Sequence, residues 1–210
     1  MKSAISQITL GMIKPETFLH AVGKAKFDGV EFNNFGRPNF IEECLKEKRV
    51  KTLRSIAEEY GLRVLSVNAL DNFSPTSQDE FRQVIKDFER MVEFCVEIGG
   101  EIVVVCPSFL KSGLKQEVII DKVSKALKKL AKHSKNIDIG FEFLGFKECS
   151  VNNLEMAIEV VKKTENDRVG LVLDTFHYFI SGSSIESIKQ MPIEKLLLVH
   201  FDDAEALPKE

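Results

Sequence analysis

Seven short apolar runs punctuate the chain, and amphipathic stretches of helical period separate them. That alternation restricts the fold more than any other feature, because continuous apolar runs read as strands of a parallel sheet buried on both faces. The runs are SAISQIT (3–9), GVEFN (29–33), LRVLSVN (62–68), EIVVVC (101–106), IDIGFEFL (137–144), RVGLVLD (168–174) and KLLLVHF (195–201). Between them the pattern predicts a helix opening at Pro15, a long helix from Phe40 to Tyr60 stopped by Gly61, and a helix from Ser77 to Ile98 closed by Gly99 and Gly100. A Lys-rich helix over 114–134, a helix over NLEMAIEVVKKT and one or two short turns within 176–190 follow. In the Lys-rich helix Val123, Ala126, Leu127 and Leu130 are expected inside. Loops carry Gly36 and Pro38 in one place and Pro75 in another.

Strict alternation indicates an α/β chain of the (β/α)8 TIM-barrel type rather than an open doubly wound sheet. No glycine-rich phosphate loop follows any strand, which also disfavours a nucleotide-binding sheet. A closed barrel needs eight strand-helix units and about 250 residues. This sequence of 210 residues supplies seven, so the eighth is expected to be missing, as in a truncated form or gene fragment. With no linker-like segment, residues 1–210 read as one barrel domain with unpaired edges at strands one and seven.

A net charge of −3 gives no general attraction to nucleic acid or anionic membrane. No apolar stretch approaches membrane-spanning length and the N-terminus lacks a signal-peptide core, so a cytoplasmic protein is expected. Cys44, Cys95, Cys106 and Cys149 show no C-x-x-C spacing and read as reduced thiols.

Three polar side chains stand at or near the C-terminal ends of the last three runs: Glu142, Asp174 and His200, successively 32 and 26 residues apart. In a parallel barrel those ends share the rim that carries the active site. Two carboxylates and an imidazole converging there suit a divalent cation such as Mn²⁺, Zn²⁺, Co²⁺ or Mg²⁺. Alternation sets Glu142 on the face opposite Phe141 and Phe143, where an unpaired carboxylate is costly. The competing reading pairs it with a helix lysine. Asp174 also suits an N-cap for the turn that follows, and capping is compatible with ligation because the carboxylate has two oxygens. His200 could instead be a core histidine bonded to a carbonyl, though Asp202 and Asp203 beyond it could fix its tautomer. His177 would be turned back over the rim towards a substrate oxygen. Glu31, Asn68 and Cys106 end or nearly end strands two to four, and Asn68 offers both donor and acceptor to a hydroxyl or carbonyl. Asp202 joins the substrate-contacting set. His20 and His133 read as surface residues.

FEFLG, then GLVLDTFHYF and SGSSIESIKQ, then LLLVHFDDAE, with LSVNALDNF and FKECSVNNLE, resemble the xylose isomerase-like TIM barrels, the superfamily of sugar phosphate isomerases/epimerases and endonuclease IV. The likeness is greatest to inosose (2-keto-myo-inositol) isomerase-like proteins of inositol catabolism. It implies a divalent metal held by Glu142, Asp174, His200 and a strand-eight glutamate outside this sequence, with His177 binding substrate oxygens. It also implies an isomerase or epimerase that moves a proton next to the carbonyl of a sugar or cyclic polyol, with the metal as Lewis acid and Glu142 as base. Activity would be impaired without the strand-eight glutamate, and a homo-oligomer is compatible with this reading. A dehydratase-type lyase shares the same ligands, and a non-catalytic metal-binding remnant is a further alternative. Endonuclease IV-like hydrolysis is disfavoured, since Asn68 and Cys106 stand where that chemistry uses histidines and no Asp-x-His follows Asp203.

Overall fold

The computed structural model describes residues 2–11, 13–34, 40–74, 77–109 and 113–203. The loop with Gly36 and Pro38, Pro75 and the tail from residue 204 lie outside them. Seven parallel strands pair in sequence order: β1 (Ala4–Ser6), β2 (Gly29–Asn33), β3 (Arg63–Leu70), β4 (Ile102–Val105), β5 (Asp138–Glu142), β6 (Val169–Asp174) and β7 (Leu196–His200). The intervening helices are α1 (Pro15–Ala25), α2 (Phe40–Lys46), α3 (Val50–Glu59), α4 (Gln78–Ile98), α5 (Gln116–Ala131), α6 (Leu154–Thr164), α7 (Thr175–Ser181) and α8 (Ile185–Gln190). Among the described residues β1 pairs only with β2, and β7 only with β6.

The sheet curls into a TIM-barrel wall, as one contact demonstrates. At the usual strand spacing of about 4.8 Å, β2 and β7 would lie roughly 24 Å apart in a flat sheet. Instead Nε2 of His200 on β7 is 2.9 Å from Oε2 of Glu31 on β2. Alternation then divides each strand between two environments. Ile139 and Phe141 of β5, with Val169, Leu171 and Leu173 of β6, face the helices and join the main core. The opposite face of β4 and β6 supplies Ile102, Val104 and Val172 to a smaller cluster inside the barrel. Gly140, two residues before Glu142, is needed for that interior to close: a Cβ there would lie 2.6 Å from the Val172 side chain. β7 is only half-buried, whereas β2, β4 and β6 are buried throughout.

Two expected elements differ. The first strand covers only Ala4–Ser6, because Gln7–Leu10 form a 3₁₀ turn that buries Gln7, whose Oε1 accepts the Asn33 N–H at 3.1 Å. The single helix expected over 40–60 is two, α2 and α3. The break is a Schellman cap without glycine: Lys48 takes φ +54, its N–H donates to Leu45 O, and the Arg49 N–H reaches Cys44 O. Other boundaries follow local chemistry. Pro15 starts α1, Ser77 and Glu80 form a reciprocal capping box on α4, and Gly99 closes α4 at φ +80. α5 buries Val123, Ala126, Leu127 and Leu130 and turns its lysines outward.

Candidate metal centre

Consecutive strands β5, β6 and β7 deliver Glu142, Asp174 and His200 to one point of the rim, each with a ligand atom within 4.8 Å of the others. Register explains the convergence, since Asp174 pairs with His200 and Glu142 pairs with Val172, two residues before Asp174. Nδ1 of His200 lies 2.7 Å from Glu142 Oε1 and 3.9 Å from Asp174 Oδ2. Tetrahedral zinc with ligands at 2.0–2.1 Å needs donors about 3.3 Å apart, a spacing that the two distances bracket. The carboxylates are almost wholly buried. One nitrogen and two carboxylate oxygens therefore fit a borderline divalent cation in donor type and spacing.

Asp174 makes the expected cap and keeps its second oxygen towards the cluster. Its Oδ1 accepts the His177 backbone N–H at 2.8 Å and caps α7, while Oδ2 faces His200. Glu142 is steadied from its far side, where the Cys106 thiol donates to Oε2 at 3.4 Å. Burial drives the Cys106 thiol well above its ordinary range, and the Glu142 charge adds to the rise, so Cys106 stays a protonated donor.

The His200 ring lies between two carboxylates. Burial alone would lower its pKa, but hydrogen bonds to Glu142 and Glu31 outweigh burial and push it up to about 11. In the metal-free protein both nitrogens thus carry protons, Nδ1–H donating to Glu142 and Nε2–H to Glu31. Burial likewise would raise the Glu31 carboxyl. The His200 hydrogen bond and charge, with the Ser66 and Ser6 hydroxyls, overcome this and hold it below its ordinary range. Ser66 Oγ donates to Glu31 Oε2 at 2.7 Å and Asn68 Nδ2 to Oε1 at 3.3 Å.

The remaining expected residues surround this group. Asn68 lies within β3, which continues to Leu70, and its buried Oδ1 has no hydrogen-bond partner among the described residues. Nδ1 of the half-buried His177 accepts the Gly145 N–H at 3.3 Å, so the ring proton sits on Nε2. Exposed Asp202 is clamped through its backbone by Thr175 Oγ1. Partial burial raises the Asp202 carboxyl, and the charge of Asp174 adds to it. The carboxylates hydrogen-bonded to the His200 ring are Glu142 at Nδ1 and Glu31 at Nε2, a place for which the sequence offered Asp202 or Asp203. Exposed His20 meets Tyr60 OH, and half-buried His133 meets Glu89, away from the rim. The sequence marks Glu31 only as a rim position. Its signal is the one that marks Glu142: a carboxylate flanked by apolar residues on a buried strand.

A parallel, barrel-curled sheet with this cluster at its C-terminal rim defines a TIM-barrel protein with a candidate divalent-cation site. The chain belongs to the xylose isomerase-like TIM barrel family, whose profile matches residues 19–210. It is 31% identical over 187 residues to inosose isomerase of Bacillus subtilis (strain 168), covering 88% of this chain and 66% of that protein. It is 26% identical over 210 residues to 3-dehydroshikimate dehydratase of Pseudomonas aeruginosa, covering 99% of this chain and 31% of that one. The crystal structure of the IOLI protein with a binding zinc atom superposes with a TM-score of 0.90 at 30% identity, covering 99% of this chain and 75% of that one. The chain thus spans just under two thirds of the length of its inosose isomerase relatives.

Proposed function

We propose that this barrel is the catalytic domain of a metal-dependent isomerase or epimerase that moves a proton next to the carbonyl of an inosose-like keto-polyol. The observation that carries the reading is the convergence of Glu142, Asp174 and His200 on one point. The likeness to inosose isomerases supports the substrate class. Glu142, Asp174 and His200 would hold the ion. Zinc, manganese, cobalt or magnesium bound there supplies Lewis-acid polarisation of a carbonyl. The Glu142 carboxylate takes the proton from the carbon beside that carbonyl. Asn68 Oδ1, buried and unpartnered, accepts a substrate hydroxyl, and His177 donates from Nε2 to a substrate oxygen. Asp202 accepts a further hydroxyl at the exposed edge.

A second reading, loss of water from a related keto-polyol, is favoured by the likeness to 3-dehydroshikimate dehydratase. It begins with the same proton removal and the same residues. Incubating the protein with zinc and inosose in deuterium oxide separates the two. The isomerase reading expects deuterium beside the carbonyl in a product of unchanged composition, and the lyase reading expects loss of water. Glu142→Gln should abolish either outcome, and a protein that gives neither with zinc bound sinks both readings.

A further inference from the structure

The metal reading assigns His200 as a ligand without saying which ring nitrogen binds or what selects it. The two nitrogens have different surroundings. Nδ1 faces Glu142 Oε1 at 2.7 Å and Asp174 Oδ2 at 3.9 Å, so it alone points at the other two candidate ligands. Nε2 points across the barrel to Glu31 Oε2 at 2.9 Å. Glu31 thus sits beyond the ring, on the side away from Glu142 and Asp174, and the group of converging donors does not include it.

Glu31 is itself closely held. It is 4% exposed, Ser66 Oγ binds one oxygen at 2.7 Å and Asn68 Nδ2 the other at 3.3 Å. These partners stand beside it on β3, where Glu31 pairs with Ser66 and Asn33 with Asn68. A carboxylate with both oxygens engaged on a buried strand has little freedom to turn, and an imidazole N–H bonded to it is fixed in position and orientation.

We infer that Glu31 is the positioning residue of the metal centre: it keeps the His200 proton on Nε2 and presents Nδ1 to the cation. This rests on the metal-site reading above and extends it to a strand five places away in the sheet. A carboxylate behind a histidine ligand fixes tautomer and ring angle and raises ligand basicity, and its loss typically weakens metal binding roughly 10–100-fold. The role differs from ligation, because Glu31 would touch the ring and not the ion. It also differs from simple core packing, because Gln has nearly the same shape and keeps the strand filled.

Two measurements test this. Calorimetric titration of the protein with zinc should show one site, and Glu31→Gln should keep that stoichiometry while weakening affinity 10–100-fold. Nitrogen-15 NMR of the zinc-loaded wild-type imidazoles needs no variant to fold, and should show His200 protonated at Nε2 and unprotonated at Nδ1. An Nε2–zinc signature overturns the inference, as does a Glu31→Gln affinity within threefold of wild type. Either result with zinc bound leaves the metal reading standing. A wild-type protein with no saturable zinc site removes the metal reading and this inference together.

Discussion

Asp174 shows how much one side chain can be asked to do. One oxygen caps α7 and the other faces His200, in a buried group where three carboxylates, Glu31, Glu142 and Asp174, meet a single imidazolium. That negative surplus suits an incoming cation and strains the metal-free fold, because charges removed from water need full compensation. Asn caps a helix as well as Asp, whereas Ala cannot cap. Asp174→Asn should therefore leave metal-free stability unchanged or raise it by up to about 1 kcal/mol, while sharply weakening zinc binding. Asp174→Ala should be about 1 kcal/mol less stable than Asp174→Asn through loss of the cap. Urea unfolding of the two variants measures that gap, and equal stabilities would remove the cap from the account. Glu142 and Asp174 were legible in the sequence because a carboxylate ending an apolar strand must be satisfied locally. The place of Glu31 behind His200 was not, since it depends on how far the sheet curls, and no local pattern encodes that.

Elements were readable wherever their ends carry their own chemistry. Pro15 and the Ser77–Glu80 box mark helix starts, and Gly99 marks a stop. The break at Lys48 escaped because a lysine occupies the left-handed position where glycine is usual, leaving an apparently continuous amphipathic stretch from Phe40 to Tyr60. Tertiary contact supports that unusual choice. Arg49, at the start of α3, grips Glu16 in the first turn of α1 with Nη2 at 2.7 and 2.9 Å from the two carboxylate oxygens. Burial would raise the Glu16 carboxyl, but the Arg49 hydrogen bonds outweigh it and hold the pKa below its ordinary value. A depressed carboxyl stabilises the fold above its unfolded pKa, and that contribution is lost as pH falls through the folded value. Glu16→Gln should therefore cost about 0.5–1 kcal/mol at pH 7, the upper part of the range for ion pairs that keep some contact with solvent. The two proteins should converge in stability on acidification through that window. Urea midpoints at pH 7 and in acid provide the check, and a gap that persists in acid would assign the effect to packing rather than charge.

At the scale of the molecule, the candidate centre ties together strands that are distant in sequence. Its three candidate ligands come from β5, β6 and β7, and the carboxylate behind His200 comes from β2, 169 residues away. Among the described residues no helix is long and apolar enough to cross a membrane. An unfolded chain cannot hold donors separated by 26 and 32 residues in one coordination sphere, so a cation that binds here binds the native state almost alone. Mass action then converts binding into stability: at a free ion concentration 100 times Kd the gain is about 2.7 kcal/mol. For a domain of this size that corresponds to a rise in Tm of roughly 5–10 °C. Because the donors sit on three of the seven strands of the wall, the gain should appear in the cooperative unfolding of the whole sheet rather than in a separate local step. Calorimetry of the chelator-treated protein with and without zinc tests this. One transition shifted upward is expected, with the shift abolished in Glu142→Gln and reduced in Glu31→Gln. An unshifted transition in a protein that binds zinc stoichiometrically would mean that the unfolded chain binds zinc equally well, against a site assembled by the fold.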